Sequence, residues 1–106
     1  MVRLDNKHRQ KQCDKLLAVI GDFWTLSIIM ELEKRELRFC ELQRALGGLN
    51  PVTLTSRLKK LEKAGFINRK KETSNKLSVT YSLNKLGMGM LPILEEIQIF
   101  AAKFNK

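Results

Sequence analysis

Apolar residues recur along this chain in blocks whose period changes twice, and those changes divide it into elements. Leu16, Leu17 and Ile20 fall at helical spacing, which predicts a first helix over about 11–20, ended by Gly21. Asp22 then offers a carboxylate to the first exposed amides of a second helix over about 23–35, "FWTLSIIMELEKR". That segment is apolar on most sides before its charged end, so it belongs in the middle of the core. In "LRFCELQRALGGLN", Phe39, Leu42 and Leu46 share one face of a short helix, Gly47-Gly48 breaks it, and Leu49 plugs into the core. Asn50 caps and Pro51 opens a further helix that runs to Ala64 and closes at Gly65.

The period then shortens to two. "FINRKKE" and "LSVTYSL" alternate like strands around a "TSN" turn, with Phe66, Ile67, Val79, Tyr81 and Leu83 as the packed face. Helical spacing returns in "NKLGMGMLPILEEIQIFAAKFNK". There Leu86, Met90, Ile93, Ile97, Phe100 and Phe104 are separated by 4, 3, 4, 3 and 4 residues, the alternation of a two-helix seam. Met88, Leu91, Leu94 and Ile99 widen that surface, and Pro92 should kink or split the helix. A domain of this size has little interior to absorb so much apolar area, which points to a subunit interface; the alternative is that the face covers its own core.

Two helices joined by a turn of about four residues outline a helix-turn-helix, and a hairpin directly after the second helix is a wing. The expected fold class is therefore mainly α with a small β-hairpin wing (α+β), a winged helix-turn-helix dimerising through its terminal helices. One domain over 1–106 would comprise an arm and helix (1–20), the helix-turn-helix (37–65), the wing (66–83) and a C-terminal dimerisation helix (84–106).

On a wheel of about 100° per residue, Leu54, Leu58 and Leu61 share a buried stripe. Val52, Ser56, Lys59 and Lys63 then point away from it, flanked by Thr53, Thr55 and Lys60. Small groups at the start of such a helix can approach base edges, and long cations further on can reach phosphates. Charge sharpens this picture. Of a net +9, residues 51–76 carry eight basic and two acidic groups, a balance of +6, while residues 16–50 carry four and five, a balance of −1. A clustered positive surface favours polyanions. The candidate DNA-binding residues are Val52, Thr53, Thr55, Ser56, Arg57, Lys59, Lys60, Arg69, Lys70, Lys71 and Lys76. The partner would be double-stranded DNA, with a palindromic operator if two copies set their recognition helices about 34 Å apart. Candidate dimer-interface residues are Leu16, Ile20, Leu94, Ile97, Phe100 and Phe104.

Other classes fit less well. The single histidine, His8, sits in a polar arm without a pattern that would make it a base or metal ligand, and "LGMGM" does not follow a strand as a phosphate loop would. No enzyme activity, cofactor or metal is expected. No stretch of 18 apolar residues exists, and "MVRLDNKHRQKQ" lacks a secretory signal's apolar run, so the expected compartment is the cytoplasm, without membrane attachment. Cys13 and Cys40 form neither a disulfide framework nor a metal spacing; on the residues alone both read as small packing groups, Cys40 beside Phe39. The competing function is a protein-interaction module that reuses the fold without specific DNA binding.

Taken in order, "IGDFWTLSIIMEL", "LRFCELQRAL", "LNPVTLTSRLKKLEKAGFINR" and "VTYSLNKLGMGMLPIL" resemble the HxlR-type family of bacterial winged-helix transcription regulators over about residues 13–104. The shared residues include Cys13, Trp24, Arg38, Phe39, Arg57, Gly65, Arg69, Tyr81 and Gly87. The resemblance implies homodimers that join through terminal helices and bind operators as repressors or activators. It also makes Cys13 the candidate redox- or electrophile-sensing residue, flanked here by Lys11, Asp14 and Lys15. Two features depart from the family's pattern: Asp14 stands where a proline is common, and "TSNKLSVTY" lacks the wing's proline pair.

Overall fold

A computed structural model describes residues 6–71 and 79–105. In chain order the elements are α1 (Asn6–Ile20), α2 (Phe23–Lys34), β1 (Leu37–Arg38), α3 (Phe39–Ala45), α4 (Pro51–Lys63), β2 (Ile67–Lys71), β3 (Val79–Leu83), α5 (Lys85–Met88) and α6 (Leu91–Phe104). The expected "TSN" turn, Lys76 and the first residues of the N-terminal arm lie outside the described residues.

Helix α2 is the spine of the core. Thr25, Ile28, Ile29 and Leu32 follow one another along one side of the helix, and all four are buried. Asp22 starts this helix, accepting from the Thr25 amide at 3.0 Å and the Thr25 hydroxyl at 2.7 Å. Leu54, Leu58 and Leu61 bury the inner stripe of α4 against it. Asn50 caps α4 through bonds from the Val52 and Thr53 amides at 2.8 and 3.4 Å, worth about 1 kcal/mol, while Pro51 occupies the first turn, where no N–H is needed.

Between α3 and α4 the chain turns through Gly47 and Gly48, at φ 74° and 81°, a conformation that costs a side-chain-bearing residue about 1–2 kcal/mol. Gln43 Nε2 donates to the Leu49 carbonyl at 2.9 Å, which fixes the turn while Leu49 drops into the core.

Three strands make an antiparallel sheet in the order β1-β3-β2. Ile67 pairs with Leu83 and Lys71 with Val79 across the hairpin, so both expected strands are present, although their burial does not alternate: only Ile67 is buried in β2, and Thr80 and Tyr81 are buried side by side in β3. Strand β1 is an addition. Leu37 and Arg38 pair with Tyr81 and Thr80, and two residues are too short to show a period. Arg38 is extended and then hands the chain to α3, with its amide donating to Glu41 Oε1 at 2.9 Å.

Other boundaries differ for physical reasons. Among the described residues α1 already includes Asn6, ahead of the expected start near residue 11, because "NKHRQ" has Lys, Arg and Gln as helix formers but no apolar period; Gln10 Nε2 bonds Asp14 at 2.8 Å, one turn on. Pro92 splits the tail, as one of the two expected outcomes, and sits in the first turn of α6. At the junction of wing and tail, Asn84 does three things. Its side-chain amide donates to the Gly65 carbonyl, its backbone amide donates to the Phe66 carbonyl at 3.1 Å, and its Oδ1 accepts from the Gly87 amide at 3.0 Å. Gly87 lies so close to the Phe66 carbonyl that a Cβ would overlap it.

The tail's apolar residues divide between two faces. Met90 and Leu94 turn inward and close the core, as does Ile20 at the end of α1. Ile20 and Leu94, assigned from the sequence to a subunit seam, are thus taken up inside the protomer, because spacing defines a stripe but not its neighbour. Ile97, Phe100 and Phe104 remain open at 49%, 67% and 78% exposure, with Ile93, Leu16 and Leu17 also exposed. Cys40, expected to pack beside Phe39, is exposed on the outer side of α3, and Cys13 is exposed on α1 instead of being a buried small group.

Candidate nucleic-acid interface

The outward side of α4 follows from its inner side. With Leu54, Leu58 and Leu61 fixed in the core, Val52, Ser56, Lys59 and Lys63 are driven to the surface and all four are exposed. Pro51, Val52, Thr55, Ser56 and Lys59 line a shallow concavity along this side. Its floor is made of short side chains, and Lys59 stands at its C-terminal edge. Thr53 is half-buried, on the flank next to the cap.

A second groove joins the helix to the sheet. Thr55, Leu58, Lys59, Glu62, Arg69 and Tyr81 line it, so Lys59 and Arg69 belong to one surface although they lie on different elements. Strand β2 then carries Arg69, Lys70 and Lys71 outward, all exposed. Such an arrangement can present small groups to a groove and cations to the phosphates on either side. Among the described residues no group of three or more His, Cys, Asp or Glu side chains comes together as a metal site. No helix among them is long and apolar enough to cross a membrane.

Two of the expected contact residues face elsewhere. Arg57 Nε lies 3.3 Å from the Asp22 carboxylate. Lys60 Nζ donates to the Ala18 carbonyl at 3.1 Å and stands 3.8 Å from Asp22 Oδ2. Ala18 is in the last turn of α1, where carbonyls lack helical partners, so Lys60 caps α1 as well as pairing with Asp22. Burial pushes the Asp22 carboxyl up, but bonds from the Thr25 hydroxyl and amide, with Arg57 beside them, leave it below its ordinary value. Sequence reasoning identified Asp22 as a cap and missed this second use, since no local signal links residues 35 apart.

Cys13 lies three and four residues before Leu16 and Leu17, on the same side of α1 as those exposed leucines. Phe23 and Trp24 meet edge-to-face, 4.8 Å between ring centres, at the start of α2.

The family model described as HxlR-like helix-turn-helix matches residues 19–106. The HTH-type transcriptional regulator BH0655 of Halalkalibacterium halodurans is 42% identical over 82 residues, spanning 76% of this chain and 73% of that relative. Among solved structures, a transcriptional regulator described as MarR family, from Enterococcus faecalis, superposes with a TM-score of 0.81 at 28% identity, covering 99% of this chain and 93% of that one. The diamide-treated form of YodB from B. subtilis gives a TM-score of 0.73 at 25% identity, covering 86% and 90%.

Proposed function

The chain belongs to the HxlR-like helix-turn-helix family, a family of transcriptional regulators and not of enzymes, and from that premise we propose that it binds a specific double-stranded DNA sequence as a homodimer. The single observation that carries this reading is the two-sidedness of α4. Three leucines seat its inner stripe in the core, while Val52, Ser56 and Lys59 are exposed and Lys59 shares a groove with Arg69 of the cationic strand. Small groups read base edges in the major groove, and Lys59, Arg69, Lys70 and Lys71 hold the flanking phosphates.

Homodimerisation is supported by the exposed stripe of Ile93, Ile97, Phe100 and Phe104 on α6, and by Leu16 and Leu17, which are also exposed on α1. A monomer in water would leave that area uncovered. Two-fold pairing sets two recognition helices facing successive major grooves, so the operator is palindromic. The compartment is the cytoplasm, where a bacterial regulator meets its DNA. Oxidation or alkylation of the Cys13 thiol modulates binding; this is supported by its exposure beside the α1 leucines and by the likeness to YodB, a protein also solved after diamide treatment.

Selection of bound duplexes from a random pool, followed by footprinting, tests the reading. We expect a palindromic site with protected base edges in each half. A single asymmetric half-site would remove the dimer, and no protected edge at low ionic strength would remove DNA binding itself. For Cys13, the Cys13→Ser variant should keep its operator affinity after oxidant treatment when the wild type does not; identical responses would end the sensor role.

A further inference from the structure

Asp22 carries more than a cap requires. Serine, threonine and asparagine cap helices about as well as aspartate, so a neutral residue would serve α2. Its negative charge also complements the start of a helix dipole, yet the particular feature here is its company: Arg57 Nε at 3.3 Å and Lys60 Nζ at 3.8 Å, both from the recognition helix α4. Lys60 is held a second time, by the Ala18 carbonyl at 3.1 Å. Lys60 stands on the flank of α4 that adjoins its outward side, about 60° around the wheel from exposed Lys63, while Arg57, a half-exposed long side chain, lies nearer the buried stripe, about 60° from Leu54.

A carboxylate with a guanidinium and an ammonium ion drawn to it is the same charge pattern those cations would make with a phosphate. We propose that Asp22 is a positioning residue that acts as an internal stand-in for phosphate: it holds Arg57 and Lys60 off the DNA backbone and so limits sequence-independent binding. This rests on the DNA-binding reading above. Of the cations on α4, Lys59 and Lys63 point outward unpaired by Asp22, while Arg57 and Lys60 are withheld. Every cation that neutralises a phosphate releases counterions and steepens the salt dependence by about 0.9 in the log–log slope. Withholding two per protomer lowers the affinity for any sequence and leaves the short side chains at the start of α4 with a larger share of recognition.

The test is the salt dependence of binding to a short random-sequence duplex, measured by fluorescence anisotropy for wild type and Asp22→Asn. Asparagine keeps a cap acceptor, and cooperative urea unfolding confirms that the variant folds; Asp22→Ser, also a cap without charge, is the second variant. We expect the slope to steepen by about 0.9–1.8 per protomer and binding at low salt to tighten roughly tenfold. Adding Lys60→Ala to Asp22→Asn should return about half of that gain. An unchanged slope in folded Asp22→Asn and Asp22→Ser overturns the proposal. A flattened slope overturns it too, by showing that Asp22 aims the cations at phosphate. Wild-type protein that binds no duplex at all would instead remove the parent reading, and this one with it.

Discussion

Replacing Phe100 with alanine separates a working interface from an idle apolar face. The ring is 67% exposed in the single chain, so little of its area is committed to its own core. A covered aromatic side chain buries about 150–250 Å², and two thirds of that is on the order of 100–150 Å². At about 25 cal/mol per Å² the burial contributes about 3 kcal/mol, and a two-fold axis uses the contact twice, for about 6 kcal/mol per dimer. Alanine retains a part of this, so the expected net loss is about 4 kcal/mol, roughly a thousandfold in the dissociation constant. Sedimentation equilibrium over a range of concentrations measures it directly. The single chain should unfold at an unchanged urea midpoint under dilute conditions, because the ring supports little of the protomer. An unchanged dissociation constant, or a wild type that stays monomeric throughout, would refute the role given to α6.

Four further outcomes are expected. Lys70→Ala or Lys71→Ala should weaken binding to all sequences alike and flatten the log–log salt slope by about 0.9 for each phosphate no longer neutralised, read by anisotropy across a salt series. Changing Thr53 or Ser56 should instead alter base preference, by about 1–3 kcal/mol at the base pair concerned, measured by repeating the operator selection. Leu54→Ala empties a fully buried site between α4 and α2 and should cost about 2–5 kcal/mol in urea unfolding, with the slope against denaturant unchanged. The Asp22 carboxyl has a folded pKa below its ordinary 3.8, so its contribution to stability is complete above that value and is lost as pH falls through the folded one. Wild type should therefore exceed Asp22→Asn in stability near neutral pH, and the gap should close under strongly acidic conditions.

What could be read in advance was whatever has a short-range signature. Asn50-Pro51, the three leucines of α4, and the alternation on either side of the wing each announce themselves within a few residues, and each element formed where its signals lie. Strand β1 has only Leu37 and Arg38, and its existence depends on Thr80 and Tyr81, far along the chain. The pairing of Asp22 with Arg57 is of the same kind: charge and spacing name neither partner until α4 is laid across the start of α2. The tail showed its apolar residues correctly but not their allegiance. Met90 and Leu94 go to the core, and Ile97, Phe100 and Phe104 do not, because helical spacing marks an apolar side without naming the neighbour that covers it. Cys40 misled for a simpler reason, as its neighbour Phe39 satisfies the core without it.

Asn84 ties three pieces of chain to one point: the end of α4 through Gly65, the root of the wing through Phe66, and the start of the tail through Gly87. With no room at Gly87 for even a methyl group, that joint cannot swivel without disrupting its own packing. A pair of chains clasped by their tails would consequently hold their reading heads at a fixed pitch, like calipers locked at one opening. Inserting a single base pair between operator halves turns one half by about a tenth of a helical revolution, and a joint of this stiffness would not follow it.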